Sequence, residues 1–251
     1  MKECVKDTYS KLVFEEKECC SYYLEQCEDA DMFGQAVSIG YKEEELKSIP
    51  QEALMGLGSG NPLGLVELHL GQIVLDLGSG AGLDCFLAAK KVGDEGIVIG
   101  IDMTEKIVEK SCRIAKAYGY INVYFDLADI EALPLKNESI DVVVSNCVMN
   151  HTPNKLVALK EAYRILRPGG KIALSDMVAD GYLSEYVKWG FEAWTGCPLG
   201  LIQKHEYVDL MRGAGFLNVK IIRQRSFQKL GLGNNSGEEI KCIEMSAIKK
   251  G

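Results

Sequence analysis

The apolar run Ile73-Val74-Leu75 leads into Asp76-Leu77-Gly78-Ser79-Gly80-Ala81-Gly82, and a helical pattern follows at once. Three glycines at alternate positions between a strand and a helix leave few folds open. Glycine lets the backbone turn tightly and lets a ligand approach with no Cβ in the way. The helix start behind the turn carries unpaired N–H groups that suit a carboxylate. The spacing is GxGxG, because position 83 is Leu, so the third glycine of the dinucleotide pattern is missing.

Short apolar runs and amphipathic stretches go on alternating beyond this turn. Strands are expected at 73–76, 97–102, 123–125, 140–145 and 171–176. Helices are expected at 84–91, 104–118 and 155–166. Thr104 is placed as an N-cap, Gly119 as a stop, and Arg167-Pro168-Gly169-Gly170 as the end of the third helix. Strands separated by helices imply right-handed crossovers and a parallel sheet covered on both faces. Three segments result: a helical or lid segment at 1–70, a ligand-binding core at 71–179, and a substrate-side segment at 180–251 that adds the last strands. In the first segment, 41–49 reads as a short solvated helix ended by Pro50, and 56–62 is rich in turn residues. The last holds both tryptophans, the segment Thr195-Gly196-Cys197-Pro198 and a glycine-rich loop at 231–237.

Composition narrows the partners. A chain of 251 residues can bury one large core, or one core with a small appendage. Its 36 acidic against 28 basic residues, a net charge of -8, argue against nucleic acid, whose phosphates need a basic surface. No apolar run reaches the roughly 18–20 residues of a membrane helix. No signal-peptide pattern opens the chain, so a cytoplasmic protein with no membrane partner is expected. Nine cysteines with no CxxC pair suit neither a disulfide framework nor a zinc ribbon. Most are expected to be small buried hydrophobes, Cys85 among them, and Cys4, Cys27, Cys112 and Cys242 receive no functional reading.

Acidic residues mark the strand ends. Asp102 ends the second strand, about twenty residues past the turn, where a carboxylate accepts hydrogen bonds from ribose hydroxyls. Asp129 follows the third strand and suits an adenine amino group. Asp76, just before the turn, suits a cationic amino group. Each alone is an ordinary turn residue; together they line the end of an open α/β sheet where ligands bind.

Residues 74–82, Gly100-Ile101-Asp102-Met103-Thr104 and Leu166-Arg167-Pro168-Gly169-Gly170 resemble the nucleotide-binding core of class I S-adenosylmethionine-dependent methyltransferases. The resemblance covers about residues 70–176. It implies an α/β, Rossmann-like fold: a mostly parallel seven-stranded sheet with a reversed last hairpin, helices on both faces and an N-terminal helical segment. It also implies S-adenosyl-L-methionine as cofactor, with contacts at Asp76, Gly78, Ser79, Gly80, Gly82, Asp102, Met103, Ala128, Asp129 and Asn146.

A narrower resemblance is carried by Ser145-Asn146-Cys147-Val148-Met149-Asn150-His151 within residues 140–155, by residues 78–86, 40–46 and 56–62, and by the pair Cys19-Cys20. These look like the arsenite methyltransferases. The resemblance implies methyl transfer to trivalent arsenic, a soft element that prefers thiolates. It assigns Cys147 and Cys197 as the catalytic, arsenic-binding thiols, with Cys20 or its neighbour Cys19 from the N-terminal segment, and a thiol reductant as partner. Three positions depart from the family pattern. Ser59 stands where the family carries a cysteine, His151 stands where it has a leucine, and Pro198-Leu199-Gly200 replace small residues. Two alternatives stay open: another small acceptor (thiol, amine or carbon nucleophile) with His151 as base, or a module that binds the cofactor without chemistry.

Overall fold

The computed structural model describes residues 2–14, 31–181, 200–226 and 239–251. Seven strands form one sheet: β1 (Ile73–Leu77), β2 (Ile97–Asp102), β3 (Val123–Leu127), β4 (Ile140–Asn146), β5 (Leu166–Asp180), β6 (Leu217–Ser226) and β7 (Glu239–Ile248). Their order is β3-β2-β1-β4-β5-β7-β6. Strands β1 to β5 run parallel, and β7 lies antiparallel to both β5 and β6. This is the seven-stranded sheet with a reversed last hairpin that the sequence leads one to expect.

The helices are α1 (Lys2–Phe14), α2 (Met32–Ser38), α3 (Glu43–Lys47), α4 (Leu83–Val92), α5 (Glu105–Ala117), α6 (Lys155–Ile165) and α7 (Lys204–Gly213). Alternate strand residues feed two cores. Val74, Val142, Val144 and Ala173 pack with Phe86 and Leu87 of α4 and with Tyr41 and Leu46. Leu75, Val143, Ile172 and Leu174 pack with Leu159 and Ile165 of α6 and Tyr207 of α7. A sheet buried on both sides needs apolar residues at successive positions, which is why β1 and β4 read as continuous apolar runs. Helix α5 shows the opposite pattern: only Ile107, Ser111, Ile114 and Ala115 are buried, one stripe of an otherwise charged helix.

One local expectation holds and another needs correction. Thr104 does sit at the N-cap of α5, but its side chain makes no capping hydrogen bond. The segment Arg167-Pro168-Gly169-Gly170 does follow the end of the helix, but the strand expected from 171 already includes it: α6 stops at Ile165 and β5 begins at Leu166. Leu166 pairs with Ile140 before a bulge resets the register to Val142 and Lys171. Gly169 and Gly170 exchange backbone hydrogen bonds with Lys249, so β5 is held at its start by the chain beyond β7.

The chain passes from β1 outward to β2 and β3, then crosses back to place β4 on the other side of β1. That reversal opens a crevice beyond the carboxyl ends of β1 and β4. No helix among the described residues is long and apolar enough to cross a membrane.

Phe86 is fully buried, with ring centroids 4.6 Å from Tyr120 and 5.8 Å from Phe125. Phe86→Ala is expected to cost about 3–5 kcal/mol of stability. Urea unfolding checks this; an unchanged midpoint and slope would mean that the α4 face of the sheet is not tightly packed.

Candidate active site

The glycine turn is forced by geometry. Gly78, Gly80 and Gly82 have φ of 69°, 54° and 99°, a region that L side chains rarely enter. A Cβ on Gly78 would collide with the Val148 side chain, and one on Gly82 would meet Phe125 at 2.6 Å. The turn is clasped to the end of β2. Gly78 N–H and Ser79 N–H both donate to Ile101 O, at 2.7 and 3.0 Å, and Gly80 N–H donates to Asp102 Oδ2 at 3.2 Å. Asp102 Oδ1 accepts from Thr104 N–H at 2.9 Å. Met103 and Ala128 are half-buried beside it, and Ala128 N–H donates to Asp102 O. Helix α4 begins at Gly82 with no side-chain cap.

Three carboxylates lie buried around this turn. Asp76 is 3% exposed and accepts from Cys85 Sγ at 3.4 Å. Burial first, and then the charge of Asp84, holds the Asp76 carboxyl well above the ordinary range. Asp84 accepts from Tyr41 Oη on both oxygens, at 2.8 and 2.9 Å, and burial raises its pKa too. Burial also raises Asp102, against the pull of the backbone N–H groups it accepts from. Asp84 and Tyr41 were not singled out in the sequence; their link spans 43 residues and no local pattern signals it.

Asn146, at the end of β4, is turned toward the 56–62 segment. Its Nδ2 donates to Gly60 O at 2.7 Å and to Tyr41 Oη at 3.0 Å, and its Oδ1 accepts from Ser59 N–H at 2.9 Å. The next residue, Cys147, has a φ of 61° and donates its N–H to Ser175 O at 2.7 Å. Burial, followed by the nearby charges of Asp176 and Cys242, pushes the Cys147 thiol well up, while a hydrogen bond with Ser59 pulls the other way. Asp176 itself is raised to about 6 by burial; it accepts from Asn150 Nδ2 at 2.7 Å and from Tyr207 Oη at 3.2 Å.

Asp129 lies at the other side of the crevice, in an ion pair with Lys2 of α1 at 2.5 Å; Lys2 also reaches Glu131 at 2.9 Å. Burial works against the Asp129 charge, but the Lys2 ammonium and the Glu131 N–H hold its carboxyl below the usual range. The same helix brings Tyr9 Oη to 3.2 Å from His151 Nε2. His151 Nδ1 is buried with no hydrogen-bond partner, and burial, then Lys155, lowers this imidazole to about 4. The structure thus gathers Asp76, Gly78, Ser79, Gly80, Gly82 and Asp102 at the turn, and places Asn146 and Cys147 across from it. Cys19, Cys20 and Cys197 lie outside the described residues.

A family model described as a methyltransferase domain matches residues 68–215. Together with the sheet order and the glycine turn, this defines a class I, S-adenosylmethionine-dependent methyltransferase fold. The chain is 37% identical over 227 residues to an arsenite methyltransferase of Halobacterium salinarum, covering 88% of this chain and 58% of that one. It is 39% identical over 190 residues to the arsenite methyltransferase of Homo sapiens, covering 71% and 50%. An arsenic(III) S-adenosylmethionine methyltransferase from Chlamydomonas reinhardtii superposes with a TM-score of 0.65 at 29% identity, covering 88% of this chain and 75% of that one. The chain belongs to the arsenite methyltransferase family, and it spans about half to three-fifths of the length of the curated relatives it matches.

The imidazole makes a prediction about acid stability. Folded His151 stays neutral down to pH of about 4, whereas an unfolded histidine takes up its proton near 6.5. Stability is therefore lost as pH falls from about 6.5 through 4, by about 3 kcal/mol from this group alone. The raised Asp176 acts in the opposite sense over this range, and the charged Lys155 and the Tyr9 hydroxyl face the imidazole, so the comparison is with His151→Gln. Urea unfolding at pH 7 and pH 4.5 is expected to show a smaller acid loss in His151→Gln than in the wild type. Equal losses would put the acid sensitivity elsewhere.

Proposed function

We propose that this chain transfers the methyl group of S-adenosylmethionine to trivalent arsenic held by Cys147 and Cys197, with Cys20 as a further thiol and an external thiol as reductant. One observation carries the reading. A Cβ on Gly78 would run into the side chain of Val148, the immediate neighbour of Cys147, so the glycine turn and the segment that carries this thiol touch.

The donor set suits the cofactor. The uncapped start of α4 offers N–H groups to its carboxylate. Asp76 and Asp84 are two buried acids whose charges repel, and a cationic amino group beside them would relieve both. Asp102 uses one lone pair on each oxygen for backbone N–H groups, which leaves others for ribose hydroxyls. Asp129 is read as the acceptor for the adenine amino group, in exchange for Lys2. When bound, the cofactor supplies an electrophilic methyl group on a sulfonium.

The protein's part is then to bind and orient. A thiol held in its protonated form by burial looks a poor ligand, yet arsenous acid brings its own base. Each As–S bond that forms releases one arsenic-bound hydroxide, which takes the thiol proton and leaves as water. The high pKa of Cys147 therefore does not block loading, and no separate general base is needed. Nor is His151, with its lowered pKa, suited to that task at neutral pH. The positive φ of Cys147 and the hydrogen bond from its N–H to Ser175 O hold the backbone that carries the thiol, and alignment of reacting groups is worth several kcal/mol.

The test is product analysis with methyl-labelled cofactor, arsenite and excess reduced thiol. Methylated arsenicals are expected, and Cys147→Ser is expected to lose at least about a hundredfold in turnover while its cofactor affinity stays within about threefold. Cofactor binding with no methylated arsenic in the wild type would overturn the reading and favour another acceptor or a binding-only module.

A further inference from the structure

We propose that Cys242 of β7 is a thiol ligand of the acceptor site, partner to Cys147, in the place left by the serine at position 59. The inference rests on the arsenic reading above. Its basis is strand register. In the antiparallel β5–β7 pair, Ser175 lies opposite Glu244 and Met177 opposite Cys242, so these four side chains share one face of the sheet. That face is the one on which the 56–62 segment is docked. Ser59 Oγ is 3.0 Å from Ser175 Oγ, and Asn61 N–H donates to Glu244 Oε1 at 3.3 Å. The same Ser175 accepts the backbone N–H of Cys147, and Ser59 hydrogen-bonds the Cys147 thiol. Cys242 is thus one alternate step along β7 from the residue that anchors the segment, on the side of Cys147.

Its neighbours suit a thiolate. Arg225 of β6 lies directly opposite Cys242 in register, and its guanidinium donates to Ser59 O at 2.9 Å, on this same face. A cation so placed lowers the cost of a thiolate. Met177, buried and opposite on the other side, adds a second soft sulfur. The charge of a Cys242 thiolate acts on the Cys147 thiol. Among the described residues no three His, Cys, Asp or Glu side chains are disposed to hold a metal ion. The inferred site is accordingly a two-thiol clamp on this part of the chain, not a three-ligand metal centre.

Phenylarsine oxide is a suitable probe because it binds two thiols without redox change. Two As–S bonds form, the arsenic–oxygen bond is lost, and both thiol protons leave in one water. The experiment uses the full chain with Cys19, Cys20 and Cys197 changed to Ser, which removes the other candidate ligands. That protein is expected to bind one equivalent tightly. Adding Cys242→Ser, or Cys147→Ser, is expected to weaken binding at least about tenfold, because a single thiol loses the chelate. Retained affinity in Cys242→Ser with loss in Cys147→Ser would overturn the role of Cys242 and leave that of Cys147 standing. Retention in both would overturn both. Loss in Cys242→Ser alone would also overturn the clamp, since Cys147 would then not be its partner.

A fold defect is separated from a lost ligand in two ways. Thermal unfolding of the Cys242→Ser protein is expected to match its parent within a few degrees. Adding Ser59→Cys to it is expected to restore tight binding by returning a thiol to the turn; failure of that rescue in a folded protein would overturn the inference. X-ray absorption at the arsenic edge, on the otherwise wild-type chain with arsenite, is expected to show one As–S bond fewer in Cys242→Ser.

Discussion

Asp76, Asp84 and Asp102 bring three carboxylates into one poorly hydrated corner of the sheet, and the rest of the site is arranged around that charge. Burial disfavours their ionised forms, and their mutual repulsion adds to the cost. What keeps them tolerable is a set of donors drawn from distant parts of the chain. The Tyr41 hydroxyl is shared between the two carboxylate oxygens of Asp84, and the backbone N–H groups of Gly80 and Thr104 donate to Asp102. Asp76 has the weakest partner, a thiol at 3.4 Å. Among the described residues, Lys91 is the cation that acts on Asp84, from a distance.

The same donors tie the N-terminal part of the chain to the sheet. Tyr41 holds Asp84 and receives Asn146, and Asn146 in turn grips Gly60 and Ser59. Glu244, almost fully buried on β7, completes the attachment through Arg223, Arg225 and Asn61. Residues 56–62 are thus pinned by β4, β5 and β7 at once. Gly60 is required there because a Cβ would run into Ser175 and Glu244. Asn146, which holds this segment at the end of β4, is the immediate neighbour of Cys147.

Much of this architecture is legible in the chain itself. Runs such as Ile140 to Asn146 are apolar at successive positions because both faces are covered, and the glycines of the turn announce a backbone that no side chain tolerates. Asp102 could be placed because it ends a strand at a fixed distance from that turn. What stayed hidden are the contacts made across the sheet. The Tyr41–Asp84 and Asn146–Tyr41 hydrogen bonds join residues 43 and 105 apart, and the placing of Cys242 on the same face as Ser175 depends on the register of an antiparallel pair. Local patterns carry no trace of such pairings. Arg167-Pro168-Gly169-Gly170 misled for a related reason: its turn residues are drawn into β5 by Ile140 on one side and Lys249 on the other.

Helix α1 touches the rim of the crevice at two separated points, Lys2 on Asp129 and Tyr9 on His151. Neither fastening is strong. The ion pair is partly exposed, with 30% and 41% of the two side chains open to water, and pairs of that kind contribute about 0–1 kcal/mol. These rim contacts supplement the packing of α1 along α5, where Val5 is buried. Rising salt loosens the first rim contact and leaves the second almost untouched. The rim contact of α1 is thus graded by ionic strength at its Lys2 end and insulated from it at its Tyr9 end.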